Sequence, residues 1–170
     1  MEGMEPDHFI FATVLGVAAD LTTLEHGKQI HACRAEFEQH ISIGNSLITM
    51  YIRCGNIEDA RTGFDRMPKR DIVSWTAMLS GCIQQGHYEE ALQLFYQMRQ
   101  AGMEPELLIF ASALRACGSL ATLEHGRQIH DLIVKTGSEF DVVVGSSLVD
   151  MYAKCGNIDD ARKVFDNMPS

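Results

Sequence analysis

The segment Met50–Pro68, MYIRCGNIEDARTGFDRMP, returns as MYAKCGNIDDARKVFDNMP at Met151–Pro169, 101 residues further on. A second pair agrees almost as well: TLEHGKQIH at Thr23–His31 comes back as TLEHGRQIH at Thr122–His130, 99 residues apart. Self-similarity on this scale signals stacked units, none of which buries its apolar face alone, so fold and function are read repeat by repeat.

Each copy carries a helical pattern. Leu47, Met50, Tyr51 and Cys54 fall at i, i+3, i+4 and i+7, and Leu148, Met151, Tyr152 and Cys155 repeat that buried stripe. Gly55 supplies a left-handed turn and Asn56 a cap, after which Ile57, Ala60, Phe64 and Met67 continue with helical spacing until Pro68. Gly156, Asn157, Ile158, Ala161, Phe165 and Met168 do the same. In the middle segment, Trp75 to Gln84 reads as a first helix and Gly86 as its turn. Ala91, Leu94, Phe95 and Met98 mark a second, ended by Gly102 and Pro105. Period-two alternation is missing, so the expected fold is all-α, with roughly ten helices in about five hairpins. Unit boundaries fall near 7/8, 40/41, 71/72, 106/107 and 141/142. Glu2–Pro6 matches Ala101–Pro105 from its second residue on, which predicts that the chain opens inside a repeat cut from a longer array.

Composition narrows the function classes. The 46% of hydrophobic residues supplies a continuous core, while 14 Lys and Arg against 23 Asp and Glu leave a net charge of −9, unhelpful for gripping a polyanion by bulk attraction. The acidic pairs Glu58-Asp59, Glu89-Glu90 and Asp159-Asp160 open second helices, where negative charge complements the helix dipole, so much of that charge is expected on the outer layer. The five cysteines, at 33, 54, 82, 117 and 155, form no C-x-x-C pair and are odd in number, which speaks against a disulfide framework or zinc site and for a reducing compartment. Those at 54 and 155 read as small buried hydrophobes. His26 and His31 stand five residues apart, off one another's helical face, as do His125 and His130, so they read as repeat residues and no metal site is expected. No apolar run approaches a membrane span, and the acidic N-terminus lacks the character of an organellar transit peptide.

Residues 72–106, with Trp75, Gly81, Gly86, Glu90-Ala91-Leu92, Phe95, Met98, Gly102 and Pro105, resemble a pentatricopeptide repeat of the standard 35-residue type. The doubled motifs are similar to its long and short variants in land-plant organellar proteins. The array then reads as the end of a preceding repeat (1–7), a long repeat (8–40), a short one (41–71), a standard one (72–106), a long one (107–141) and a short one (142–170), an order resembling the PLS subfamily. The first long unit departs by being about two residues shorter near Glu36–His40.

What the resemblance implies is a right-handed α-solenoid that binds single-stranded RNA along its concave face, about one base per repeat, in the mitochondrion or chloroplast. In that family the selecting pair is a residue in the first turn of the first helix and the residue that closes the repeat. Carried over, the first short repeat offers Asn45 with Asp71, a pair that favours uracil over cytosine. The standard repeat offers Thr76, a purine selector, with Glu106, which is not the usual closing residue. The long repeats offer Ala12 with His40 and Ala111 with Asp141. An alanine cannot hydrogen-bond a base edge, so these repeats are expected to space the array or to dock a protein editing cofactor. The last short repeat offers Ser146. Val73 and Val143 match the residue that packs on base faces, whereas Ser42 departs from it; Arg53 and Lys154 fall where a basic residue meets phosphate. The H-x-E…C-x-x-C deaminase motif that ends many relatives of the subfamily is absent. The expected role is RNA recognition in organellar RNA processing or editing, without catalysis, cofactor, membrane or small-molecule substrate. The competing reading is a protein-interaction scaffold, which an acidic surface and non-reading long repeats also suit.

Overall fold

In the computed structural model, which describes Thr13, Val14, Val17, Lys28, residues 40–138 and residues 141–168, the glycine–asparagine steps are the turns of helical hairpins. Gly55 and Gly156 take φ of 73° and 74°, a conformation that costs any residue with a Cβ. Asn56 and Asn157 then accept, through Oδ1, the backbone N–H of Asp59 at 3.0 Å and of Asp160 at 3.1 Å. The same two carboxylates receive the asparagine Nδ2, at 2.8 Å and 2.7 Å, so cap and first-turn acid lock one another.

Eight helices follow in order among the described residues: α1 (Ile41–Arg53), α2 (Ile57–Arg66), α3 (Ile72–Gln85), α4 (Tyr88–Gln100), α5 (Leu107–Ser119), α6 (Leu123–Thr136), α7 (Val142–Lys154) and α8 (Ile158–Asn167). No strand occurs among them. The chain divides into two compact units, one ending at Gly81 and the other beginning at Cys82, inside α3.

In the first unit, α1 packs on α2. Ile43, Leu47, Ile48, Met50 and Tyr51 are buried on one side and Ile57, Ala60 and Phe64 on the other. The approach is close: a Cβ on Gly44 would sit 2.9 Å from the Met67 sulfur. Phe64 meets Trp75 edge to face, ring centroids 4.8 Å apart. Arg70 closes the cluster, its guanidinium 4.7 Å from the Phe64 centroid while Nε and Nη2 donate to the carbonyls of Phe64 (2.8 Å) and Asp65 (2.9 Å) at the end of α2.

In the second unit α5 is central, packed against α4, α6 and α7, with Ile109, Phe110, Ala113, Leu114, Ala116 and Cys117 fully buried. Helix α8 packs on α7, but Phe165 is 65% exposed where its counterpart Phe64 is 1% exposed. Among the described residues, no ring covers Phe165 as Trp75 covers Phe64. Cys54 and Cys155 are half-buried rather than sealed in the core.

One outer-layer contact occurs in both units. Lys28 Nζ lies 3.0 Å from Asp59 Oδ2, and Arg127 Nη2 lies 3.3 Å from Asp160 Oδ2. The partners are the basic residue of the doubled histidine motif and the first-turn acid of the helix after the glycine–asparagine turn.

Candidate nucleic-acid interface

Asn45 and Asp71 stand 26 residues apart, yet Asn45 Nδ2 donates to Asp71 Oδ1 at 3.1 Å. Asn45 occupies the second turn of α1, and Asp71 caps α3 by accepting the backbone N–H of Ser74 at 2.9 Å. Ser74, which sequence reasoning missed, sits between them, with Oγ 2.6 Å from Asn45 Oδ1 and 2.9 Å from Asp71 Oδ1. Partial burial pushes the Asp71 carboxyl up, but the bonds from the Ser74 N–H and the Asn45 amide outweigh it and leave the group below the usual carboxylate range. It is an anion at neutral pH. Its Oδ2 has no hydrogen-bond partner among the described residues, and Asn45 keeps one N–H to spare.

The structure places the remaining sequence-derived residues as follows. Thr76 donates its hydroxyl to the Ile72 carbonyl at 2.7 Å, and Glu106 is the exposed residue preceding α5. Asp141 caps α7 through the N–H groups of Val143 and Val144. Ser146 donates within α7 to Val142 at 2.7 Å. Val73 and Val143 are each more than half exposed, unusual for branched aliphatics in first turns. Leu108 is exposed to the same degree at the matching place in α5, and sequence reasoning missed it by setting the long repeats aside. Arg53 lies exposed in the last turn of α1. Lys154 Nζ is tied to Asp150 at 2.7 Å. Ala12 falls outside the described residues; His40 is exposed and precedes α1.

Within the second unit, α5 and α7 face one another across an open groove of about 440 Å³. One wall is Leu108, Ala111, Ser112 and Arg115; the other is Val143, Ser146, Ser147 and Asp150, the same i, i+3, i+4, i+7 spacing on both helices. Ser146 and Ser147 spend their hydroxyl protons on carbonyls of their own helix. Arg115 is exposed and makes no ion pair among the described residues, so it is the groove's uncommitted donor. The signal that would have found it is a lone arginine in an otherwise neutral first helix, Leu107–Ser119.

No group of three or more His, Cys, Asp or Glu side chains that could hold a metal occurs among the described residues. His130 Nδ1 instead lies 2.8 Å from the Tyr152 hydroxyl, and no described helix is long and apolar enough to cross a membrane.

Comparison with known proteins gives the following. A family model described as "PPR repeat family" matches residues 70–117, and one described as "PPR repeat" matches residues 45–72 and 146–170. A pentatricopeptide repeat-containing protein of Arabidopsis thaliana named as mitochondrial is 43% identical over 167 residues, 97% of this chain and 27% of the relative. Another from the same plant, named as chloroplastic, is 40% identical over 168 residues, 98% of this chain and 19% of the relative. The chain thus spans about a quarter of the length of the curated relatives it matches. Among solved structures, the maize pentatricopeptide repeat protein PPR10 aligns with a TM-score of 0.72 at 22% identity, over 96% of this chain and 24% of that one. PPR10 in complex with an 18-nucleotide psaJ RNA element aligns at 0.75 and 20%, over 99% and 26%. At such identities the likeness speaks for the fold, an all-α repeat solenoid.

Proposed function

The chain belongs to the pentatricopeptide repeat family, and from that premise we propose that it binds single-stranded RNA base by base, in support of organellar RNA processing or C-to-U editing, its own residues supplying no catalytic step. The observation that carries the reading is the Asn45–Asp71 pair, which presents a spare amide N–H beside a carboxylate oxygen with no partner among the described residues. A donor next to an acceptor matches the edge of a pyrimidine, where a ring or carbonyl acceptor adjoins an N–H, and the family pattern favours uracil there. Val73, Leu108 and Val143 add apolar surface suited to base faces. Arg53, Arg115 and Lys154 are the cations for phosphate, Lys154 after release from Asp150. Thr76 with Glu106, and Ser146 and Asp141, are the further base-facing candidates.

Support for the RNA partner comes from the PPR10 complex, and for a mitochondrial or chloroplast setting from the names of the relatives. The alternation of long, short and standard units supports the PLS subfamily. The alanine at 111 supports the long repeats as docking places for a protein editing cofactor.

The test is binding of four RNAs that differ only at the nucleotide facing Asn45, at one fixed salt concentration, since phosphate contacts change affinity without changing preference. Uracil should be preferred, and Asn45→Thr should move the preference toward guanine by a factor of about five or more, the low end of side-chain base discrimination. Equal weakening for all four bases would favour the protein-interaction scaffold instead.

A further inference from the structure

Ser74 is the only fully buried polar side chain among the described residues. It is the third residue of α3, and at that place the other described first helices carry Ile43, Ile109 and Val144, all fully buried. A hydroxyl at an apolar position is costly unless it is bonded. Part of its bonding is a reciprocal cap: the Ser74 N–H donates to Asp71 Oδ1 at 2.9 Å and the Asp71 N–H donates to Ser74 Oγ at 3.2 Å. That cap needs only residues 71 and 74. The shortest bond of the group, 2.6 Å, runs instead to Asn45 Oδ1 in the preceding hairpin.

We propose that Ser74 is the third member of the base reader and determines its specificity. The proposal rests on the RNA-binding reading above. Asn45 is held at both ends, Oδ1 by the Ser74 hydroxyl and Nδ2 by Asp71, so turning the amide about χ2 breaks at least one bond. The spare N–H therefore points one way and lies beside the free oxygen of Asp71. Without the hydroxyl, Asn45 pivots on a single bond and the donor no longer sits at a fixed distance from the acceptor. Recognition by one repeat thus depends on the first turn of the next. The same clamp is not available to Thr76, because Ile109 stands at the corresponding place and has no donor.

The experiment measures binding of the 170-residue chain to the four single-nucleotide RNA variants by fluorescence anisotropy, for Ser74→Ala, Ser74→Cys and Ser74→Thr. Cysteine has serine's shape in a slightly larger form and offers only a weak S–H donor, so it reports even if alanine destabilises the hairpin; threonine keeps the hydroxyl. Far-UV circular dichroism confirms that each is folded. Alanine and cysteine should cut the preference for uracil over cytosine about fivefold, the worth of one hydrogen bond, with little change in binding to the disfavoured RNAs, and threonine should retain it. An unchanged preference in Ser74→Cys, or equal weakening toward all four RNAs, overturns the proposal and leaves Ser74 as a helix cap. Asn45→Thr is measured in parallel. If it shifts the preference while Ser74→Cys does not, only this proposal fails; if the parent chain shows no base preference, the RNA-reading hypothesis fails with it.

Discussion

Phe64 and Phe165 occupy the same place in the two copies of one motif, so truncating each to alanine isolates the effect of packing. Helix propensity and local sequence nearly cancel between the two. Phe64 is 1% exposed, edge-on to Trp75 at 4.8 Å and under the Arg70 guanidinium at 4.7 Å. Removing a ring from such a site forfeits its transfer energy and leaves a cavity, together ~3–5 kcal/mol, of which the aromatic contact accounts for ~0.5–1.5 kcal/mol. Phe165 is 65% exposed. With about a third of the side chain shielded, and ~1.5–3 kcal/mol for burying a whole one, Phe165→Ala should cost only ~0.5–1 kcal/mol. Urea denaturation followed by far-UV circular dichroism gives the midpoints. Stacked repeats need not unfold in one step, so hydrogen exchange at α1 and α2 should report the local loss for Phe64→Ala. Equal losses for the two variants, or a loss above ~2 kcal/mol at Phe165, would refute the burial argument.

Three other outcomes are expected. Arg70→Ala should destabilise the first unit by ~1–3 kcal/mol in the same assay, and Arg70→Lys should restore less than half, since an ammonium cannot bond two carbonyls in a fork while lying on a ring. The Lys163 ammonium, the Asn157 amide and Arg127 hold the Asp160 carboxyl down to about 2 against the opposing effect of desolvation. A depressed carboxylate stabilises the fold fully above its unfolded pKa of about 3.9, and that contribution fades as pH falls toward 2; Asp160→Asn should flatten this part of the melting-temperature profile. Arg115→Ala should weaken RNA binding evenly across base variants and reduce the slope of log K against log salt by about 0.7, the value for one phosphate contact on a single strand; a base-dependent loss would place Arg115 on a base edge instead.

The helices were legible because their signals are local. The Leu47–Cys54 and Leu148–Cys155 stripes, the left-handed Gly55 and Gly156, and the caps Asn56 and Asn157 each involve residues within about two turns of one another, which is the range of periodicity arguments. Asn45 and Asp71 emerged only through the family pattern, and the structure adds that they touch. Ser74, Arg70 and Leu108 were not found. Ser74 takes its meaning from a residue 29 positions away, and Arg70 from a neighbouring helix end. Leu108 belongs to a long repeat whose Ala111 has no group for a base edge, and nothing local in the sequence marks it as 58% exposed. Phe165 shows the converse: an identical motif predicts identical burial, but burial belongs to the neighbour that covers the residue.

The repeated ion pair Lys28–Asp59 and Arg127–Asp160 bears on how such arrays can be recombined. Arg127 on α6 belongs to one hairpin and Asp160 on α8 to the next, and in both pairs a capping asparagine aims the acid from its own side. Arg127 and Asp160 both sit on second helices, so a splice anywhere between them, at the repeat boundary or in the glycine–asparagine turn, parts the basic residue from the acid it meets, whereas moving both helices with the first helix between them carries the junction intact. A chimera whose cassette keeps two successive second helices together should therefore tolerate exchange between arrays better than one spliced between them, and the natural cassette for shuffling is a pair of neighbouring repeats, not the single unit.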